Sequence, residues 1–147
     1  MGDLVKGGIQ DGIATVTLSS PQTLNALSTP MLQALAASFA TIAAHDGIRV
    51  VILRAEGKAF SAGHDLKEMQ AYRSAPDQGR AAYQRLFDLC AGVMQQIAAL
   101  PQPVIDQVQG VATAAGCQLA ASADVIVASE IARDGVNGPH PGLLCFP

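Results

Sequence analysis

The sequence predicts an α/β layered fold, and three observations predict it. Short runs rich in β-branched and apolar residues, at 13–18 (IATVTL), 49–53 (RVVIL), 104–108 and 124–128 (DVIVA), alternate with segments of helical period. Two of those helical segments carry a continuous apolar stripe, so each has one face to bury. Half of the 147 residues are apolar and 14% are charged, which is the balance of a packed core. Alternating strands and helices build a parallel sheet with crossover connections. With four Phe, two Tyr and no Trp, the core must come from Ala, Val, Ile and Leu.

The elements follow in order. Gly7, Gly8, Asp11 and Gly12 suggest a hairpin turn before the first strand, 13–18. Ser19, Ser20 and Pro21 close that strand. Ser28 is placed to cap a helix, with Pro30 tolerated in its first turn. Met31, Leu35, Phe39 and Ile42 then recur at helical spacing, and Gly47 ends the segment. The run 49–53 is continuously apolar, the pattern of a strand buried on both faces. A loop, AEGKAFSAGHDLKEM, leads to a second helix over about 77–99, with Tyr83, Leu86, Cys90, Val93, Ile97 and Leu100 on one stripe. Pro101 and Pro103 stop it. Strand 104–108 is followed by a turn at Gly110, a helix of small residues over about 113–121, and strand 124–128. From Asp134 the chain reads DGVNGPHPGLLCFP, with no period. The expected division is a core over 1–130 and an irregular Gly/Pro-rich tail over 131–147.

Several classes of function are disfavoured. Nine basic and 12 acidic residues give a net charge of −3, without the clustered basic face of a nucleic-acid binder. Cys90, Cys117 and Cys145 are odd in number and widely spaced, which suggests neither a disulfide framework nor a metal site. No membrane partner is expected, because Asp106, Gln107, Gln109, Gln118 and Asp124 interrupt the most apolar stretch. The opening MGDLVKGGIQDG has neither secretory nor transit character, and Lys6 stands where a myristoylation signal needs Ser or Thr. A reducing cytoplasm is the expected location.

Two loops carry the candidate chemistry. In Phe60-Ser61-Ala62-Gly63-His64-Asp65-Leu66, Asp65 and Glu68 have the spacing of a reciprocal capping pair. Gly63 and His64 then lie at a helix entrance, where N–H groups lack internal acceptors. In Gly110-Val-Ala-Thr-Ala-Ala-Gly-Cys-Gln118, small side chains let another group approach the backbone, again at the start of a helix whose dipole favours negative charge. Each loop alone reads more simply as close packing or an ordinary turn.

Together, the strand IATVTL, Pro21, Asn25-Ala26-Leu27, VVILRAEGKAFSAGHDLKEM and PVIDQVQGVATAAGCQLAASADVIVAS resemble the crotonase (enoyl-CoA hydratase/isomerase) superfamily. In particular they resemble its enoyl-CoA hydratase domain-containing members that lack the catalytic glutamates. The resemblance implies a ββα spiral, here truncated before the C-terminal helical region. It implies an acyl-CoA substrate from fatty-acid or acyl-CoA metabolism, with coenzyme A as part of the substrate and no prosthetic group or metal. It implies that the backbone N–H groups of His64 and Ala115 hold the thioester oxygen and stabilise an enolate. The His64 side chain reads as an exposed loop group. By the same resemblance Ala26, Leu27, Lys58, Ala59, Phe60, Ala62, Asp65, Leu66, Lys67 and Gly116 line the substrate site, mostly through backbone. Family members form trimers or hexamers.

The sequence also departs from the family. Gln118 stands where the first catalytic glutamate belongs. It shares a helix face with Ala115, but an amide cannot act as a general base. The segment 136–140, where the second glutamate is expected, contains no carboxylate, and Glu130 and Asp134 read as solvated loop charges. The alternative is therefore a non-catalytic acyl-CoA-binding relative or an inactive fragment. Asp106 falls in a strand that the family fills with small or apolar residues. The resemblance covers roughly the N-terminal half of a member, and the tail is expected to be a frameshift or deletion relic. A serine hydrolase built on Ser61, with Asp106 or Asp124 and His140, has its residues in a possible order. However, Glu56-Gly57-Lys58 separates the strand from the serine. Gly57-Lys58 lacks the flanking residues of a phosphate loop.

Overall fold

The structure, a computed structural model, describes residues 3–135. The segment 136–147, with the predicted tail, His140 and Cys145, lies outside them. Strand β1 (Val5–Gln10) pairs antiparallel with β2 (Ile13–Leu18). Their connection is Asp11-Gly12, with φ of 52° and 79°, the doubly positive pair that a tight hairpin requires. Gly7 and Gly8 belong to β1 and not to the turn. They pair with Val16 and Thr15 through backbone alone, so a strand forms where the side chains signal a turn.

A 3-10 turn (Pro21–Thr23) leads to helix α1 (Thr29–Ala43). Ser28 caps it as expected, its hydroxyl accepting the Met31 N–H at 3.3 Å. Met31, Leu32, Leu35, Phe39 and Ile42 are its buried face. Strand β3 (Val50–Ala55) follows, then β4 (Ala59–Ser61), helix α2 (Leu66–Tyr72) and helix α3 (Arg80–Ala98). Strand β5 (Val104–Val108), strand β6 (Val111–Thr113), helix α4 (Ala115–Ala121), strand β7 (Val125–Ala128) and strand β8 (Arg133–Gly135) complete the described chain.

Two sheets result. The larger has the order β1-β2-β3-β5-β7, parallel after the first pair; the smaller is β4-β6-β8, parallel throughout. Helices α1 and α3 cover one face of the large sheet. Leu86, Cys90, Val93 and Ile97 of α3 join the α1 stripe over Ala14, Val16, Leu18, Val51, Leu53, Val104 and Val108. Each such Leu or Phe stabilises the fold by roughly 1.5–3 kcal/mol on full burial.

The sheet corrects several expectations. Strand 49–53 is buried on one face only: Val51 and Leu53 are in the core, while Val50 and Ile52 are half-covered. The loop 55–69 contains β4 and the start of α2. The small-residue helix starts at Ala115, because residues 111–113 pair as a strand with β4. The irregular tail was expected from 131, yet Arg133–Gly135 pairs with β6, since backbone pairing needs no side-chain period. Asp124 lies just outside its strand, accepting the Val104 N–H at 2.7 Å.

Candidate functional site

The two predicted loops meet where the small sheet joins α2 and α4. Three glycines permit the approach. A Cβ on Gly110 would lie 2.0 Å from the Lys58 carbonyl oxygen, and one on Gly116 would lie 2.3 Å from that of Ser61. A Cβ on Gly63, whose φ is +88°, would lie 3.0 Å from the Ala114 Cβ and 3.2 Å from the Ala115 nitrogen. Gly63, the residue before His64, therefore packs directly against the peptide that joins Ala114 to Ala115.

Each of those peptides is held by its carbonyl. The C=O and N–H of a trans peptide point in opposite directions, so fixing one aims the other. The Gly63 carbonyl accepts the Leu27 N–H at 2.7 Å, which aims the His64 N–H away from Leu27. The Ala114 carbonyl accepts the N–H groups of Cys117 and Gln118, at 3.0 and 3.2 Å, which aims the Ala115 N–H out of the helix start. Neither N–H meets an acceptor among the described residues. With only seven residues in α4, the donors act as hydrogen-bonding groups more than through a helix dipole.

Sequence reasoning missed three supports. Ala114 has φ 50° and ψ −127°, a conformation that costs a residue with a Cβ about 1–3 kcal/mol. Nothing in a run of alanines signals it. Asn25 is fully buried at φ 52°; its side chain accepts the Ser20 N–H at 2.8 Å and donates to the Glu56 and Ala59 carbonyls at 2.9 Å each. A buried asparagine flanked by apolar residues was the available clue. Glu68 does not return to the Asp65 backbone as the predicted reciprocal cap would. Asp65 caps α2 through the N–H groups of Lys67 and Glu68, at 2.9 and 3.2 Å. Glu68 instead accepts the Thr29 N–H at 2.8 Å and the Tyr72 hydroxyl at 2.6 Å, because the start of α1 lies within reach.

The other predicted residues sort by exposure. Leu27 and Phe60 are completely buried, and Ala59 and Gly116 are also buried, so none of the four presents a side chain at the surface. Ala26, Ala62 and Asp65 are half-buried; Lys58, Leu66 and Lys67 are exposed. The His64 side chain is not the exposed group expected from the sequence. Its ring stacks edge-on against Phe87 at 5.3 Å, its Nδ1 is buried without a partner, and burial holds its pKa below the ordinary value. Gln118 lies one turn beyond Ala115, half-buried. Glu130 is exposed, as predicted.

The hydrolase reading loses its nucleophile. Ser61 is fully buried, and its hydroxyl donates to the Asn25 carbonyl at 2.9 Å and accepts the Gly63 N–H at 3.2 Å. Asp124 is bound to the Val104 backbone. Asp106 is fully buried with neither oxygen partnered, and burial pushes its pKa up to about 8. It lies in the large sheet, in a row with Leu53 and Ile126. Among the described residues, no group of three or more His, Cys, Asp or Glu side chains is placed to hold a metal ion. Nor is any helix among them long and apolar enough to cross a membrane.

Comparison with known proteins places these features in a family context. A family model described as enoyl-CoA hydratase/isomerase matches residues 8–145. The chain is 43% identical over 136 residues to the mitochondrial enoyl-CoA hydratase domain-containing protein 3 of Xenopus laevis, covering 92% of this chain and 45% of that protein. It superposes on an enoyl-CoA hydratase from Mycobacterium smegmatis with a TM-score of 0.89 at 49% identity, covering 97% of this chain and 54% of that one. The human enoyl coenzyme A hydratase domain-containing protein 3 superposes with a TM-score of 0.88 at 40% identity, with 97% and 54% covered. The chain thus spans about half the length of the proteins it matches.

Proposed function

Given that this chain belongs to the enoyl-CoA hydratase/isomerase family, we propose that it binds an acyl-CoA thioester with the carbonyl oxygen between the N–H groups of His64 and Ala115. The observation that carries this reading is the pair of anchored, adjacent peptides, each with its carbonyl tied and its N–H without an acceptor among the described residues. Charge that develops on the oxygen as an enolate forms would meet donors that need no reorganisation. A single such donor is worth roughly 2.7–4 kcal/mol in other enzymes.

The same site argues against hydration by two carboxylates. Gln118 can hold a water or a substrate group but cannot remove a proton at neutral pH. The nearby acids Asp65 and Glu68 are engaged in backbone hydrogen bonds. The proposed activity is therefore thioester recognition and enolate stabilisation, with a binding-only relative as the second reading, favoured by Gln118. We place the protein in a reducing, cytoplasm-like compartment on the grounds of its unpaired thiol at Cys117.

Two measurements test this. Calorimetric titration should give tighter binding of butyryl-CoA than of free CoA. A hydration assay with a short enoyl-CoA should show no turnover by the wild type; turnover would overturn the inference from Gln118. Turnover gained in Gln118→Glu would show that the site is complete except for its acid–base group, whereas binding without turnover in both proteins would favour the binding-only reading.

A further inference from the structure

We propose that Glu68 is a positioning residue for the His64 donor, acting through the segment 27–29, an inference that rests on the acyl-thioester reading above. That segment is fixed at two points. At one end the Leu27 N–H binds the Gly63 carbonyl at 2.7 Å. At the other, two residues on, the Thr29 N–H binds the Glu68 carboxylate at 2.8 Å. The two bonds close a ring through Gly63, His64, Asp65 and the first turn of α2, and the His64 peptide lies inside it. The bond that aims the His64 N–H therefore depends on where 27–29 sits, and Glu68 sets that position.

The remaining contacts keep Glu68 in place. Its second oxygen accepts the Tyr72 hydroxyl at 2.6 Å, one helical turn on. Tyr72 packs edge-on against Tyr83 at 5.4 Å, and the Tyr83 hydroxyl donates to the Met69 carbonyl at 2.7 Å, which ties α2 to α3. The carboxylate also meets an N–H of the first turn of α1 that has no acceptor within the helix, so the interaction is charge-assisted. Among the described residues no comparable side-chain device holds the Ala115 peptide, whose carbonyl is bound locally by its own helix.

A purely structural role for Glu68, as a second cap on α1, would change stability without changing how the thioester carbonyl is held. The test uses the full chain with butyryl-CoA and free CoA, and with butyryl-CoA labelled with 13C at the carbonyl for infrared spectroscopy. Glu68→Asp keeps the charge but falls one methylene short of Thr29. It should lower the ratio of butyryl-CoA to CoA affinity by about tenfold, the scale of one hydrogen bond. It should leave CoA affinity unchanged and move the bound carbonyl stretch back toward its free-solution value. Glu68→Gln, which can still accept from Thr29 and contact Tyr72, should stay near the wild type. Ser28→Ala, which weakens the α1 cap alone, should cost stability but leave the ratio and the stretch in place. If Glu68→Asp does not fold, Tyr72→Phe should show a smaller change in the same direction. A wild-type ratio and stretch in Glu68→Asp, or in Tyr72→Phe where it is the variant used, would overturn the inference, and so would an equal change in Ser28→Ala. A wild type with no preference for butyryl-CoA and no shift of its carbonyl would instead remove the thioester reading, and this inference with it.

Discussion

The two sheets of this protein are built on different principles. The large sheet is held by side chains: Val16, Leu53, Val104 and Val108 alternate into a core roofed by α1 and α3. The small sheet has strands of three residues and is held by backbone approach, with glycines at each close contact and residues at positive φ around it. The first arrangement tolerates exchange of similar side chains, because volume and pattern suffice. The second does not, because a single Cβ occupies the space of a carbonyl. The candidate site belongs to the second. Precise placement of N–H groups comes from backbone stacked on backbone, on a platform whose stability is supplied by the first.

The largest expected effect breaks the small sheet. Gly116→Val puts a branched side chain where even a Cβ would lie 2.3 Å from the Ser61 carbonyl oxygen. The loss should be about 3 kcal/mol or more, and thioester binding should disappear. A Leu53→Met exchange in the large sheet, of similar volume, should cost less than about 1.5 kcal/mol. Urea titration of both proteins checks the contrast; equal losses would erase the distinction between the sheets.

Next comes Asn25→Ala, which leaves the Ser20 N–H and the Glu56 and Ala59 carbonyls without this side chain. Each unsatisfied buried group costs roughly 1–3 kcal/mol, and water can recover part of the sum, so a net loss of about 2–3 kcal/mol is expected. Because Asn25 grips both ends of the approach to β4, proteolysis within 56–62 should accelerate more than elsewhere. Uniform acceleration would mean that Asn25 supports the whole fold and not the small sheet.

What the sequence made legible divides along the same line. The helix stripe from Met31 to Ile42, the Ser28 cap, the stripe from Leu86 to Ile97 and the four strands β2, β3, β5 and β7 follow from apolar pattern, since the large sheet reads side chains. Strand β1 was hidden by Gly7 and Gly8, and β4, β6 and β8 are too short to carry a period. The stacking of Gly63 on Ala114 and Ala115 is a contact between residues about fifty positions apart, which no local pattern encodes. The two candidate donors were marked in the sequence only through resemblance to a family. The partners of Glu68 were misread because its spacing to Asp65 has a local explanation, while its actual partner, Thr29, is 39 residues away.

Asp106 is where the large sheet departs from its own rule. Its carboxyl sits in a row with Leu53 and has no partner, so it is held neutral, with a pKa of about 8 against an ordinary 3.8. The folded state therefore holds a proton that the unfolded chain releases. The contribution to stability is fully present below about pH 4 and is lost as pH rises through about 8. Asp106→Val should remove this slope. It should stabilise the protein at pH 8 by roughly 1–3 kcal/mol, the mutational cost of a buried polar group without a partner, and by less at pH 5. Urea midpoints of the two proteins at both pH values decide it. A constant difference between them would mean that Asp106 does not titrate in this range.

The smallest effect is the most informative about the small sheet, because stability and placement should move in opposite directions. Ala114 holds φ 50°, which glycine adopts without strain. Ala114→Gly releases about 1–3 kcal/mol of backbone strain but adds unfolded-state entropy worth roughly 0.5–1 kcal/mol. A net gain of about 1 kcal/mol is expected in the denaturation midpoint. The methyl group that is lost is also the one that a Cβ on Gly63 would approach to 3.0 Å, so it fills the seam between the two donor peptides. Without it the Ala115 peptide is free to tilt, and the preference for butyryl-CoA over CoA should weaken by a few-fold while CoA binding holds. A more stable protein with poorer thioester discrimination would show that the strain at Ala114 is retained for the placement of a donor. A gain in both would mean that the alanine only strains the turn, and the carbonyl anchor at Cys117 and Gln118 is then sufficient to aim the Ala115 N–H.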